Sequence, residues 1–466
     1  MSLPHSSLMP PTPFLIRQSS RNLTAMSGLA FVGVALHRFA EIARRIDPAF
    51  PVRQGLPSSQ ILTSYVGLLV EGKSDFDAIE GKRDEAFFPR ALGLSGVPSA
   101  ATLRQRMDTM GMAGSEAVDA LLVPLLKRGR AQFATTTSGH VPLDIDVFCL
   151  DNSDSKKQGV GRTYAGYDGF APIAAYLGAE EGYCLALELR DGTQHSAKES
   201  EYTLERAIPR ALALTDKKLL LRWDSGFDSE SMFRTALTQG HGRMDVLGKW
   251  NPRRFDVEGC AAAKRADTDV EWDTPREGKR TTTWVTDGRV ITLDERKVPL
   301  RRVLRLTERT CKADGTMLLF PEVTIDGWET TLDLSAEAII ALYEAHGTHE
   351  QFHSEFKTDL DLERLPSGKF DTNTLVLSLA AVAYNILRLI GQQALLNKAA
   401  PLRHPAKRRR LKTVMQEMMR VAAQLAVHAR RVALNFGQHC PALIVWRALY
   451  DDWTRSEPPE VDIIPA

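Results

Sequence analysis

Neither sign of charge prevails in this chain: 59 Lys and Arg stand against 58 Asp and Glu, a net charge of +1. No whole-chain argument for a polyanionic partner follows, so any such argument has to be local. Cysteine is scarce, with five residues (Cys149, Cys184, Cys260, Cys311 and Cys440) far apart and without a C-x-x-C pair. That excludes a disulfide scaffold and offers no zinc or redox motif, so reduced packing thiols are expected. Long apolar runs are also lacking. The two longest, 26–36 and 374–387, are closed by His37 with Arg38 and interrupted by Asn385 with Arg388, short of the roughly 20 residues of a bilayer span. Residues 1–21 are rich in Pro and Ser without a basic start and an apolar block. They read as a flexible arm rather than a signal peptide, and a cytoplasmic location is expected. What is present is the balance of a globular protein, 466 residues with 43% hydrophobic and 25% charged, enough for two or three units around a sizeable core.

Periodicity divides the chain. Residues 24–136 read as helical, with Ser99 as an N-cap and Arg104 and Arg106 projecting from a helix that ends near Met110. A helix-turn-helix reading DNA and a helical packing layer both fit that segment. Strands are expected at 141–150, 173–177, 183–189, 219–223 and 244–247, with helices at 201–214 and 229–239. Together they predict a mixed α/β sheet flanked by helices, over 137–250. A β-rich insertion follows at 251–332, with strands at 281–293, 300–307 and 317–325. Helices resume at 333–400, and a basic helical C-terminal region occupies 401–466, its long helix running through 411–436.

Asp144 and Asp146 lie two apart on an apolar strand and share one face. Paired carboxylates there favour a bound divalent cation, because unpaired charges repel in a poorly solvated place; a solvated edge strand is the alternative. Asp224 ends a second apolar strand at a glycine turn, where capping the turn is the simpler role. On a helix at 335–357, Tyr343, His346, Glu350 and Lys357 fall in one stripe about 60° wide. The same segment holds His349-Glu350-x-x-His353, the pattern of zinc peptidases. The longer zincin form fails, because Phe356 and Asp359 replace its Gly and His, and a zinc metallopeptidase would leave both strand-borne acids without a role.

Asp146, Asp224 and Glu350, separated by 78 and 126 positions, resemble the Asp-Asp-Glu triad of DDE transposases of bacterial insertion sequences. Tyr343-x2-His346-x3-Glu350-x6-Lys357 is similar to the Y-x2-R-x3-E-x6-K signature of one large branch. The stretches 143–172 and 221–227 resemble that branch's first two catalytic blocks. The resemblance implies a ribonuclease H-like core interrupted by the insertion, with Asp146, Asp224 and Glu350 as catalytic metal ligands for two Mg²⁺ ions, Mn²⁺ substituting. Asp144 is an alternative or outer acid. It also implies metal-dependent cleavage at the element's terminal inverted repeats, strand transfer, and a bacterial, nucleoid-associated protein acting as a homodimer on double-stranded DNA. Tyr343, His346 and Lys357 would hold phosphates, and Lys156, Lys157 and Arg162 would add contacts. His346 stands where the signature has Arg, and Phe148 where Thr is frequent, so a catalytically inactive DNA-binding relative is the alternative. For DNA, residues 401–431 supply Arg403, Lys407, Arg408, Arg409, Arg410, Lys412, Arg420, Arg430 and Arg431 against one acid, Glu417. Salt-sensitive phosphate binding would follow, a solvated basic helix being the alternative. Trp284 and Trp328 in the insertion are candidates for stacking on an unpaired base, or ordinary sheet residues.

Overall fold

The computed structural model describes residues 12–459, apart from 254, 295, 397, 402–407, 429 and 430 and the side chains of 348 and 349. Of the basic tract, Arg403, Lys407 and Arg430 therefore lie outside the described residues, as does the His349 side chain.

The apolar, β-branched segments form a sheet of nine strands: β1 (Val141–Val147), β2 (Ile173–Leu177), β3 (Tyr183–Glu188), β4 (Leu219–Trp223), β5 (Met244–Trp250), β6 (Asp273–Arg276), β7 (Lys279–Leu293), β8 (Arg296–Cys311) and β9 (Met317–Thr330). Their spatial order is β6-β7-β8-β9-β5-β4-β1-β2-β3. β1, β2 and β3 pair antiparallel, whereas β1–β4 and β4–β5 are parallel. The β-rich insertion is not a sheet of its own. β9 pairs antiparallel with β5 and extends the central sheet, with Trp328 buried against Leu220, Leu247 and Leu342. Trp328 is thus a core residue, and Trp284 carries the Lys264 ammonium over its ring at 4.5 Å.

The principal helices are α1 (Ser58–Leu69), α2 (Ala100–Asp119), α3 (Ser200–Leu214), α4 (Glu230–Gln239), α5 (Val257–Ala266), α6 (Ala336–Glu344), α7 (His349–Ser354), α8 (Phe370–Ala394) and α9 (Leu443–Arg455). By length and composition α8 and the stretch from Ala100 to Arg128 match membrane spans, but the apolar window of α8 is wholly buried in protein. α8 packs on β3 from one side and on α1 and α2 from the other, so one core joins the N-terminal helices to the sheet. The polar residues that interrupt its apolar run have partners. The Asn385 carboxamide bonds both backbone groups of Cys184, at 2.9 and 2.7 Å, and Arg388 pairs with Glu355 inside the core. All five cysteines are free thiols.

Three expectations are corrected. The Ser99 cap holds, its hydroxyl accepting from Thr102 N–H at 3.2 Å, but α2 runs beyond Met110 through a kink at Gly111, where φ is 42°. Its arginines are tied to the fold: Arg106 donates to the Leu56 carbonyl and the Ser58 hydroxyl, at 3.0 and 2.7 Å, and Arg104 lies over Phe76 with Asp77 3.4 Å away. Second, the helix expected over 411–436 ends at Met419. β10 (Ala423–His428) and β11 (Arg431–Phe436) form a hairpin that is joined by Leu23–Thr24, tertiary pairing overriding the helix propensity of an alanine-rich run. Third, the segment 335–357 is not one helix. A 3₁₀ turn, Ala345–Thr348, and a π turn, Glu355–Asp359, interrupt it, and their different periods break the single stripe.

Candidate active site

β1 and β4 run parallel in a register that sets Asp144 opposite Arg222. Alternation along both strands puts the next same-face residues, Asp146 and Asp224, at neighbouring strand ends. Arg222 chelates Asp144 through Nε and Nη2 at 2.6 and 2.7 Å and donates through Nη1 to the Leu342 carbonyl at 2.6 Å. His346 Nδ1 lies 3.1 Å from the same carboxylate. Burial opposes ionisation of Asp144, yet Arg222 and His346 together hold its carboxyl well below the usual range. Asp144 is therefore committed to an internal ion pair, and Asp146 is the strand acid that faces the site. His346, 3% exposed, binds α6 and the following turn to the sheet instead of presenting a donor to DNA. Where the signature has Arg, this chain has an imidazole turned inward onto Asp144.

Asp146 Oδ1 accepts from Val147 N–H at 2.8 Å, and Oδ2 lies 3.9 Å from His353 Nδ1. The His353 ring stacks on Phe148, centroids 4.4 Å apart at 19°, which accounts for a large aromatic at position 148. Asp224 Oδ1 accepts from Gly226 N–H at 2.8 Å and caps the turn after β4. Burial first, then the carboxylates of Asp224 and Asp146, pushes the Tyr343 hydroxyl upward.

Glu350 is exposed on α7 and faces a cleft of about 460 Å³ lined also by Asp146, Tyr164, His353, Lys357 and Glu363. α7 is seated by Phe352, whose ring occupies the space that a side chain at Gly182 would need, in a turn with φ of 61°. Lys357 Nζ is 3.5 Å from Glu363 Oε1, and Asp151 N–H donates to that same oxygen at 3.0 Å. Tyr164 reaches over the cleft from the loop after β1, its hydroxyl donating to the Val147 carbonyl at 3.0 Å. Burial, then Cys149, Glu363 and Asp151, pushes the neighbouring Tyr167 up to about 12. Among the described residues no three acid, histidine or cysteine side chains converge closely enough to hold a metal ion.

The expected DNA contacts divide sharply. Lys156 and Arg162 are exposed near the first block, Arg162 lying 3.6 Å from Asp168. Lys157 is engaged inside, donating to Asn152 Oδ1 at 2.9 Å and to the Leu365 carbonyl. In the basic tract Arg408 bonds Glu355 Oε1 at 2.8 Å and Gln351 Oε1 at 2.5 Å. Arg409 is buried against the Leu395 carbonyl, and Arg410 chelates Asp359 at about 3.0 Å. These three arginines serve the fold, and the dense positive patch expected from the sequence is partly neutralised. Sequence reasoning gave no role to Arg222 and Tyr164 and weighed His353 only as a zinc ligand. Arg222 carried a signal, a charge two residues before Asp224 on an otherwise apolar strand; the others depend on long-range packing.

A family model described as "Transposase DDE domain group 1" matches residues 52–457. The chain belongs to this family of transposases. The match covers every strand of the sheet and all the acids described above. No curated protein matches the chain. One solved structure, a cryo-EM piggyBac transposase synaptic complex with hairpin DNA, aligns at 10% identity and a TM-score of 0.38. The alignment covers 80% of this chain and 77% of that one. Family membership leaves the zinc-peptidase reading without support, and the His353 ring already sits between Asp146 and Phe148.

Proposed function

We propose that this chain is the transposase of a bacterial insertion sequence, which binds the element's terminal inverted repeats, cuts the DNA at its ends and joins the freed 3′-hydroxyl to other DNA. The observation that carries the reading is the parallel register of β1 and β4, which puts Asp146 and Asp224 at adjacent strand ends, with Glu350 facing the Asp146 cleft. The strand order β3-β2-β1-β4-β5, antiparallel then parallel, supports a ribonuclease H-like core.

Asp146, Asp224 and Glu350 would hold two Mg²⁺ ions, or Mn²⁺ in their place, since an all-oxygen donor set suits hard cations. Metal bound there supplies activation of an attacking oxygen and stabilisation of the leaving oxygen. The remaining side chains do the positioning: Arg222 and His346 fix the strand ends, His353 orients Asp146, and Lys357 exchanges Glu363 for a DNA phosphate. Lys156 and Arg162 contact the backbone beyond the cleft. Two ends held together call for a homodimer, working at the bacterial nucleoid in the cytoplasm.

The test is cleavage of labelled DNA carrying the element's ends, with Mg²⁺ or Mn²⁺, by the natural protein and by Asp146→Ala, Asp224→Ala and Glu350→Ala, with DNA binding measured in parallel. Each variant is expected to bind and not to cut. Cutting that survives any one of the three substitutions would overturn the assignment.

A further inference from the structure

A groove of about 790 Å³ lies between the N-terminal helical segment and the β10–β11 hairpin, with none of the three acids among its lining residues. Its walls are apolar, with Val34, Phe87, Leu434, Phe436, Trp446 and Tyr450. Its charged lining is of one sign: Arg38, Arg90 and Arg447, with His37, and no acid among the described residues that line it. β11 contributes five consecutive residues to one side and is the edge of its three-stranded sheet, so its outer backbone groups offer a template for another strand. Val432 and Leu443, 58% and 36% exposed, line it. A groove of this kind fits an extended segment that alternates apolar and acidic residues.

The chain contains such a segment, and it begins at the groove. After α9 the sequence reads Glu457-Pro-Pro-Glu460-Val461-Asp462-Ile463-Ile464, three acids and three β-branched apolar residues. Arg38, in the groove wall, donates to the carbonyls of Trp453 and Ser456, the latter at 3.0 Å, so the chain leaves α9 beside the positive rim. From Ser456 the eight residues reach about 26 Å when extended, more than the length of β11.

We infer that this groove is a docking site for the chain's own acidic segment, 457–464, which adds to the β11 edge while its acids meet Arg90 and Arg447. Apolar side chains at alternate positions fill the pocket, and backbone hydrogen bonds to β11 fix the register. The segment covers an exposed edge and an apolar opening that would otherwise invite association.

The experiment compares the full chain with a variant ending at Ser456, by amide hydrogen exchange over β11 and by Trp446 fluorescence. The peptide Glu457–Ala466 is added to the shortened chain. Loss of β11 protection on shortening, and its return with the peptide, is the expected result. Arg90→Glu with Arg447→Glu, both exposed positions, should weaken peptide binding about tenfold, and raised salt should weaken it too. Equal β11 protection in both chains, or a peptide that does not bind, would overturn the proposal. Protection in the full chain that disappears on dilution would also overturn it, assigning the groove to a segment of a second copy. The same holds for duplex DNA that occupies the groove equally well in the full chain and in the shortened one.

Discussion

Replacing Arg222 with Met is the sharpest test of how the strand ends are held. The substitution keeps the length of the aliphatic stem and deletes the charge that faces Asp144 at 2.6 and 2.7 Å, both side chains being nearly inaccessible. Removing one partner of a buried pair costs about 3–5 kcal/mol, because the other charge is left uncompensated. The Leu342 carbonyl also loses its donor, which adds about 1–3 kcal/mol. The total loss is therefore at least about 4 kcal/mol in urea unfolding followed by tryptophan fluorescence, Trp223 being adjacent. The pH dependence has a definite sign. In the natural protein the Asp144 pKa is depressed, so its stabilisation is present above the unfolded-state value of about 3.9 and drains away as pH falls below it. In Arg222→Met, burial opposes ionisation with His346 as the remaining counter-charge, so the Asp144 pKa is less depressed than in the natural protein and ionisation stabilises the variant less. The gap between the two proteins should widen as pH rises from acid toward neutrality. Adding Asp144→Leu should recover most of the loss, since a buried ion pair is often replaceable by apolar residues of similar volume. A single variant within about 1 kcal/mol of the natural protein, or a gap that does not change with pH, would refute the reasoning.

Lys357→Ala should lower cleavage and reduce the slope of log DNA affinity against log salt by about one phosphate contact; an unchanged slope would show that Lys357 stays with Glu363 on DNA. Asn385→Leu should destabilise the fold by about 2 kcal/mol, because both backbone groups of Cys184 lose partners in a dry core. Thermal unfolding checks it, and a neutral result would mean that the edge of β3 is satisfied in another way. Glu355→Ala leaves Arg388 buried without its carboxylate and should cost about 3–5 kcal/mol, whereas an exposed-face change such as Arg162→Ala should leave unfolding within about 0.5 kcal/mol.

The central strands were legible because they are short, apolar and bounded by turn residues. β2 and β4 occupy the expected 173–177 and 219–223, and α3 and α4 begin within one residue of expectation. The three acids of the resemblance stand on a strand, a strand end and a helix, as read. The failures share a physical origin in tertiary partners that no local pattern encodes. The alanine-rich run at 423–436 has helical propensity and becomes a hairpin because Leu23–Thr24 and its own second half supply strand partners. Arg408, Arg409 and Arg410 look like a nucleic-acid patch in a sequence, but Glu355 and Asp359, about 50 residues earlier, consume two of those charges. His346 reads as a phosphate ligand on a helix of uniform period; the 3₁₀ turn that carries it aims the ring at Asp144 instead.

The burial of α8 between β3 and the N-terminal helices fixes the order in which this chain can become native. β1 to β4 leave the ribosome at least 171 residues (394 − 223) before the end of α8, and α1 and α2 precede it by still more. Until Ala394 has emerged, both the sheet face and the helical layer expose apolar surface, a state prone to association. Holding factors acting on the nascent polypeptide would be needed through that interval, and fragments cut between the N-terminal helices and the sheet should precipitate instead of folding alone.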